Sequence, residues 1–330
     1  MGAGALCTRG SETRSTVEDV IRKRPLFHRA HYGVAPAPGY DTLDTRIGSE
    51  RLMRMRVPVI VLGCLMIAPL IVWGFQQGFQ RTRVYQSRHS QQYEYEMQDP
   101  ADDPADADVP GEYTFARLRY RSGYGRGYGR RSGWGTDANR ADRLLAVAMR
   151  RLTRIHTKSV EEVIDVDDGP MLDYPWLYAV EVGRWGISPE QGKKLREYID
   201  RGGFLMVDDF HGEAEWQMFM QGMRQIFPDR PVVDLPASDP VFHLIGDIDQ
   251  RVQVPGKQFI WSGSTSERFD GAPAHWRGIY DEKGRLIVAI CHNMDLGDAW
   301  QYADDPEYPE TFASTALKIG VNYVTYSMTH

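Results

Sequence analysis

Short apolar runs alternate with amphipathic stretches along the last two thirds of the chain, and that rhythm predicts the architecture. Residues 113–120 set Tyr, Phe, Leu and Tyr between Thr, Ala and Arg, a period near two that reads as a strand. A helix is expected from Asp137 to about Ile155, with Leu144, Leu145, Val147, Ala148 and Leu152 on one apolar face. Residues 160–166 and 175–182 are two further strand candidates. Ser188, Pro189, Glu190 and Gln191 form a capping-box pattern with proline at the first helical position, and Gly202 and Gly203 stop that helix. Residues 204–207 are an apolar run suited to a strand covered on both faces. Trp216, Phe219, Met220, Met223 and Ile226 then mark a helix over 213–227. Strands alternating with helices predict an α/β fold with βαβ units and a largely parallel sheet. The pattern changes near the end, where strands 275–280 and 285–290 flank the turn DEKG to make a hairpin, and residues 312–326 close the chain as an apolar helix.

The first third reads differently. Residues 57–75, VPVIVLGCLMIAPLIVWGF, are nineteen residues without a charge. As a helix they would span roughly 28 Å, against about 30 Å of bilayer hydrocarbon. An uncleaved single transmembrane anchor is the favoured reading, because residues 74–83 lack an A-x-A-like site and the run is long for a signal peptide, the rival. Arg51, Arg54 and Arg56 before it, with Arg22, Lys23, Arg24 and Arg46 further back, against Arg81, Arg83 and Arg88 after it, favour the N-terminus in the cytoplasm by a modest excess. The expected division is a disordered or untranslated tail over 1–50, with Met53 or Met55 as the start, an anchor or signal segment over 51–80, a flexible acidic linker over 81–111 and one folded domain over 112–330.

A net charge of -6 over 330 residues argues against nucleic acid as a partner, since phosphates reward a basic surface. Cys7, Cys64 and Cys291 fall in three regions, so no disulfide framework is readable, and Cys291 is expected as a small buried hydrophobe.

Chemistry concentrates after two strands. Asp208, Asp209 and His211 follow the 204–207 run, and ligands in open α/β sheets collect beyond the carboxyl ends of strands. These residues suit general acid/base work or a divalent ion, while an aspartate here also suits a helix cap. Glu213 and Glu215 fit the positive end of the next helix, and His243 fits a core histidine bonded to backbone. His292, Asn293 and Asp295 open the loop after the hairpin and are binding candidates, with Asp298 and Trp300 extending that surface. Cys291 and His292 are adjacent on a strand and face opposite ways, so they make no nucleophile–base pair. Residues 121–135 interleave Arg121, Arg126, Arg130 and Arg131 with Tyr124, Tyr128 and Trp134. The spacing is neither a P-loop nor a dinucleotide fingerprint, and a flap presenting Arg121, Arg126 and Trp134 to a ligand is preferred over a solvated loop.

Several long motifs resemble one bacterial family. TFARLRY at 114–120, LDYPWLYAVEVG at 172–183, GGFLMVDDFHGEAEW at 202–216, DPVFHL at 239–244, GIYDEKGRLIVAICHNMDLGDAW at 278–300 and the closing YSMTH resemble the domain of unknown function 4159 family. The resemblance implies kinship with the class I glutamine amidotransferase-like superfamily, including trehalose-utilisation-type proteins, and a flavodoxin-like doubly wound sheet. It also implies a bacterial inner-membrane protein with residues 112–330 periplasmic or extracytoplasmic. Partners would then be envelope proteins such as the von Willebrand factor A-domain membrane proteins associated with MoxR-type ATPases. An amidotransferase needs a cysteine on a sharp strand-to-helix turn, and the equivalent turn here reads Asp208-Asp209-Phe210-His211-Gly212, so glutaminase activity is not expected. The leading expectation is a domain that binds a polar ligand or partner without a cofactor. The second is a hydrolase on a polar or carbohydrate-like envelope substrate using Asp208, Asp209 and His211, with a divalent metal as the one cofactor they could take. The third is a scaffold whose acidic crevice is structural.

Overall fold

Strands β1 (Ala116–Arg119), β2 (Glu162–Asp165), β3 (Trp176–Val180), β4 (Phe204–Asp208), β5 (Val233–Asp234), β6 (His275–Tyr280) and β7 (Leu286–His292) form one mixed sheet, ordered β2-β1-β3-β4-β7-β6-β5, in a computed structural model of the chain. The structure describes residues 91–330 apart from 99, 124–132 and 168. The tail, the apolar run 57–75 and Arg126 lie outside the described residues. Among the described residues no helix is long and apolar enough to cross a membrane. Neighbours from β2 to β7 pair in parallel, and β6 and β5 add antiparallel strands at one edge.

Helices cover both faces, and one turn of helix, α4 (Phe259–Ser262), lies in the connection between β5 and β6. On one side α1 (Arg140–Leu152), α5 (Leu296–Gln301) and α6 (Glu310–Thr329) pack over Trp176, Tyr178 and Val180 of β3. On the other, α2 (Pro189–Asp200) and α3 (Gly212–Ile226) cover Leu177 and Ala179. Alternate residues of one strand thus feed two cores, which is why β3 and residues 204–207 of β4 are apolar and both strands are wholly buried. The capping box forms as read: Ser188 Oγ accepts from the Gln191 N–H at 3.2 Å, and Gln191 Oε1 accepts from the Ser188 N–H at 3.0 Å. The expected hairpin β6–β7 forms around residues 281–284, antiparallel, with a register shift between Ile279 and Tyr280.

Two differences matter. The first helix begins at Arg140 rather than Asp137, because residues 134–139 form turns with Asp137 at φ 58°. The acidic segment before the domain, expected to be a flexible linker, is bonded to it over residues 96–107. Glu96 accepts from Arg119 and from the Trp134 indole, each at 2.8 Å, and Met97 is fully buried. Arg143 donates to the carbonyl of Asp102 at 2.6 Å, and Ser159 donates to Asp106 at 2.6 Å. Arginines on the domain give these acids partners that a free linker lacks.

A buried ion pair then sets the stage for the site. Arg117 of β1 bonds Asp142 of α1 at 2.5 and 2.9 Å, with both side chains fully buried. Its other nitrogen donates to the carbonyls of Trp134 and Thr136 at 3.0 and 2.8 Å. This clamps the segment that delivers Asp137.

Candidate functional site

The carboxyl edge of the sheet is built from turns under strain. Among the described residues, four that are not glycine have left-handed backbone: Asp137, Glu181, Asp209 and Asn293. Each costs on the order of 1 kcal/mol, and such strain persists where the surroundings over-determine it. Glu181 follows β3, Asp209 follows β4 and Asn293 follows β7. The turns hold one another: the Asp209 N–H donates to the Met294 carbonyl at 3.1 Å and the Asn293 N–H to the Phe210 carbonyl at 3.0 Å.

Asp208 anchors this lattice. Its Oδ2 accepts from the Tyr178 hydroxyl at 3.0 Å and from the N–H groups of Leu296 and Gly297 at 2.8 and 3.1 Å, tying β4 to the start of α5. Burial, with the charge of Asp209 added, pushes its carboxyl up to about 8, against those bonds. It is a support for the edge rather than an exposed group.

Around Asp209 the acids converge. One ligand atom each from Asp137, Asp209 and Asp295 lies within 4.8 Å of the others, and the same holds for Asp209, His211 and Glu267. His211 Nε2 is 3.1 Å from Asp209 Oδ1 and 3.5 Å from Glu267 Oε2. Burial opposes the imidazolium, but the bond and charge of Asp209, then Glu267 and Glu215, outweigh it and raise the His211 pKa. Burial first, and neighbouring carboxylates second, raise Asp137 and Asp295 well above the usual range and raise Glu267 too. Burial likewise lifts Asp298, against a bond from the Lys257 N–H. Glu181 reaches about 9 through burial and Asp209, although Arg184 sits 2.8 Å away. Crowded carboxylates in a dry place take up protons or a cation. Two backbone positions permit the crowding. A Cβ on Gly297 would lie 2.4 Å from Asp137 Oδ2, and one on Gly256 would lie 2.3 Å from Asp295 Oδ2.

The structure brings Asp209, His211 and Asp295 together, while Asp208, His292, Asn293, Trp134 and Arg121 are engaged in other contacts. His292 stacks on Phe210, Trp216 and His275, and burial holds its pKa down at about 3, so it is a neutral packing group. Asn293 is spent on structure, accepting from the Gly212 N–H and donating to the Pro273 carbonyl at 2.9 Å each. Trp134 is fully buried against Tyr93 and Arg119, so it is core and not a flap residue. Arg121 is exposed and pairs with Asp167 at 2.9 Å. Cys291 is 1% exposed and burial raises its thiol, as expected of a small hydrophobe. His243 bonds the Ala237 carbonyl at 2.9 Å, yet its side chain is exposed, paired with Asp247. Glu215 takes the His211 N–H at 2.7 Å, the helix-start role expected of it.

Sequence reasoning missed Asp137, Glu181 and Glu267. Glu181 ends a strand just as Asp209 does, and the same edge rule finds it. Asp137 looked like a helix start, and Glu267 lies in a Ser- and Gly-rich stretch without periodicity.

Fold and site together define an α/β protein with a mixed seven-stranded sheet and a buried acidic cluster at its carboxyl edge. The chain belongs to the domain of unknown function family DUF4159, whose model matches residues 114–328 and so spans every member of the cluster. Comparison with curated proteins found no match.

Proposed function

We propose that this domain is an amidotransferase-like module without the thiol, a binding component of the cell envelope that takes a polar ligand or protein partner at the Asp209 edge. The observation that carries the reading is the turn after β4, where a left-handed Asp209 stands between a buried strand and the start of α3. Amidotransferases put their nucleophile on such a strained strand-to-helix turn. The parallel strands in the order β2-β1-β3-β4-β7 support a flavodoxin-like, doubly wound relationship. A carboxylate does not replace a thiolate in attack on an amide, and Cys291 is buried in the core, so glutaminase chemistry has no nucleophile at this turn. The apolar run 57–75 supports an anchor with the domain outside the cytoplasm, and von Willebrand factor A-domain membrane proteins are the partner class to try first.

The test is capture from native membranes by the full chain against Asp209→Asn, an exchange that keeps the left-handed turn. A partner retained equally by both proteins would defeat the reading. A reporter fused after His330 should be active outside the cytoplasm, and cytoplasmic activity would defeat the topology.

A second reading rests on the buried pair of His211 and Asp209 at 3.1 Å, the arrangement of a general base held by a carboxylate. It makes the domain a hydrolase on a polar or carbohydrate-like envelope substrate. Release of new reducing ends from envelope glycan by the wild type, and not by Asp209→Asn, is the expected result; equal release sinks it.

A further inference from the structure

We infer that Asp137, Asp209 and Asp295 form a binding site for one divalent cation of the Mg2+ or Mn2+ class, flanked by His211 and Glu267. The inference deepens the reading of this edge as a binding crevice and names what it binds first. Three aspartates arrive from three loops, before α1, after β4 and after β7, and each offers an oxygen within 4.8 Å of the other two. Their exposures are 1%, 7% and 5%, so water screens them poorly. A site this enclosed fits an ion, not a large organic ligand.

Clustered acids alone would not carry the argument. The independent observation is Asp137 Oδ2, an oxygen that no donor reaches on a residue 1% exposed, whose carboxyl faces Asp209 and Asp295; the Asp298 side chain also meets this carboxyl, a contact two acids make only by sharing a proton or a cation. A buried carboxylate oxygen left unpaired costs several kcal/mol, and an ion is the ligand that relieves it. The nearby cation does not serve, because Arg117 is committed to Asp142 and to the carbonyls of Trp134 and Thr136. Asp137 and Asp209 are both left-handed, at φ 58° and 54°, and each offers an oxygen beside Asp295. His211 Nδ1 is also buried without a partner, so the second group of Asp209, His211 and Glu267 borders the first through a shared residue. Oxygen donors select hard ions, and an imidazole next to them favours Mn2+ over Ca2+.

The test is calorimetric titration of the chelator-stripped full chain with Mn2+ alone, with the electron spin resonance of bound Mn2+ recorded in parallel. One ion per chain is expected, with affinity reduced at least about tenfold in Asp137→Asn and in Asp209→Asn. Asp247→Asn, at an exposed and distant acid, should bind as the wild type does. Asparagine tolerates left-handed backbone, and near-ultraviolet circular dichroism checks the fold of each variant. Should either variant unfold, Gly297→Ala crowds Asp137 without removing a carboxyl and should weaken binding instead. No stoichiometric uptake of Mn2+ or Mg2+ by the wild type overturns the site, as does uptake unchanged in Asp137→Asn. Metal bound by the wild type while Asp209→Asn still captures every partner leaves the site standing and defeats the partner reading. Absent metal with partner capture still sensitive to Asp209→Asn does the reverse.

Discussion

Exchange of His292 for phenylalanine should make the domain less sensitive to acid. The imidazole is 5% exposed, with ring centres of Phe210, Trp216 and His275 at 4.8, 4.9 and 5.3 Å. Burial is the main cause that lowers its pKa to about 3; the bond to the Gly212 carbonyl opposes the shift, and His275, Arg277 and His211 add to it. An unfolded histidine titrates near 6.5, so above that pH neither state is charged and no penalty exists. As pH falls from about 6.5 towards 3, only the unfolded chain takes up the proton, and stability is lost. At about pH 5 the loss from this one group is about 2 kcal/mol. Phenylalanine cannot titrate, and it fits a site already walled by aromatic rings. It forfeits the 3.2 Å contact to Gly212, but that cost is the same at both pH values and cancels. Urea unfolding of both proteins near pH 7.5 and pH 5 gives the gap between them, which should move by about 2 kcal/mol in favour of the variant at the lower pH. A movement under about 0.5 kcal/mol would refute the claim that His292 is held neutral.

Arg117→Met leaves Asp142 charged and alone in the core, and should cost about 3–5 kcal/mol, seen as a fall in Tm on the order of 10 °C; an unchanged Tm would count against the clamp. Gly297→Ala places a methyl 2.4 Å from Asp137 Oδ2 and 2.9 Å from the Tyr178 hydroxyl, and should destabilise by about 1–3 kcal/mol in chemical denaturation. Asp137→Asn in the presence of chelator should raise stability by on the order of 1 kcal/mol, because it removes a carboxyl that burial and its acidic neighbours make costly to ionise; a lower Tm would show that its carboxyl supports the fold. A fragment beginning at Glu112 loses Met97 together with Glu96 and Asp103, which pair with Arg119 and Arg143, and should be less stable than one beginning at Gln91, by at least about 2 kcal/mol for the methionine alone; equal stability would make the acidic segment a linker after all.

What could be read in the sequence follows from how local each signal is. β3 and β4 up to Val207 are apolar at every position because both faces are covered, and the Ser188 box and the DEKG turn are complete within a few residues. α5 has only six residues and β5 two, too short for any period to emerge. The acidic segment read as a linker because its alternation of Asp and Pro predicts extension, whereas its partners Arg119, Arg143 and Arg150 stand far along the chain. Trp134 misled for the same reason: a tryptophan in a glycine-rich run looks exposed until Tyr93 and Glu96 close over it. At the site, Asp209 and His211 were legible because one strand end and one turn place them. Asp137 and Glu267 were not, since they reach Asp209 from segments that are remote in sequence.

The edge of the sheet is therefore where local rules are broken, and they are broken together. Left-handed backbone falls on Asp137, Glu181 and Asp209, and the same three residues belong to the cluster of buried acids. Each feature alone has a structural use, since an aspartate can cap a helix, as Asp295 does for α5, or anchor a strand, as Asp208 does. Asp295 accepts from the Asp298 N–H and Asp208 Oδ2 accepts from three donors, although Asp208 Oδ1 stays buried without a partner. Asp137 Oδ2 has no such use, and Asp209 gives Oδ1 to a histidine whose second nitrogen is itself buried without a partner. The backbone bonds of the turns hold the strain in place, and what they leave uncompensated is the crowding of carboxylates, the cost that a bound cation would remove.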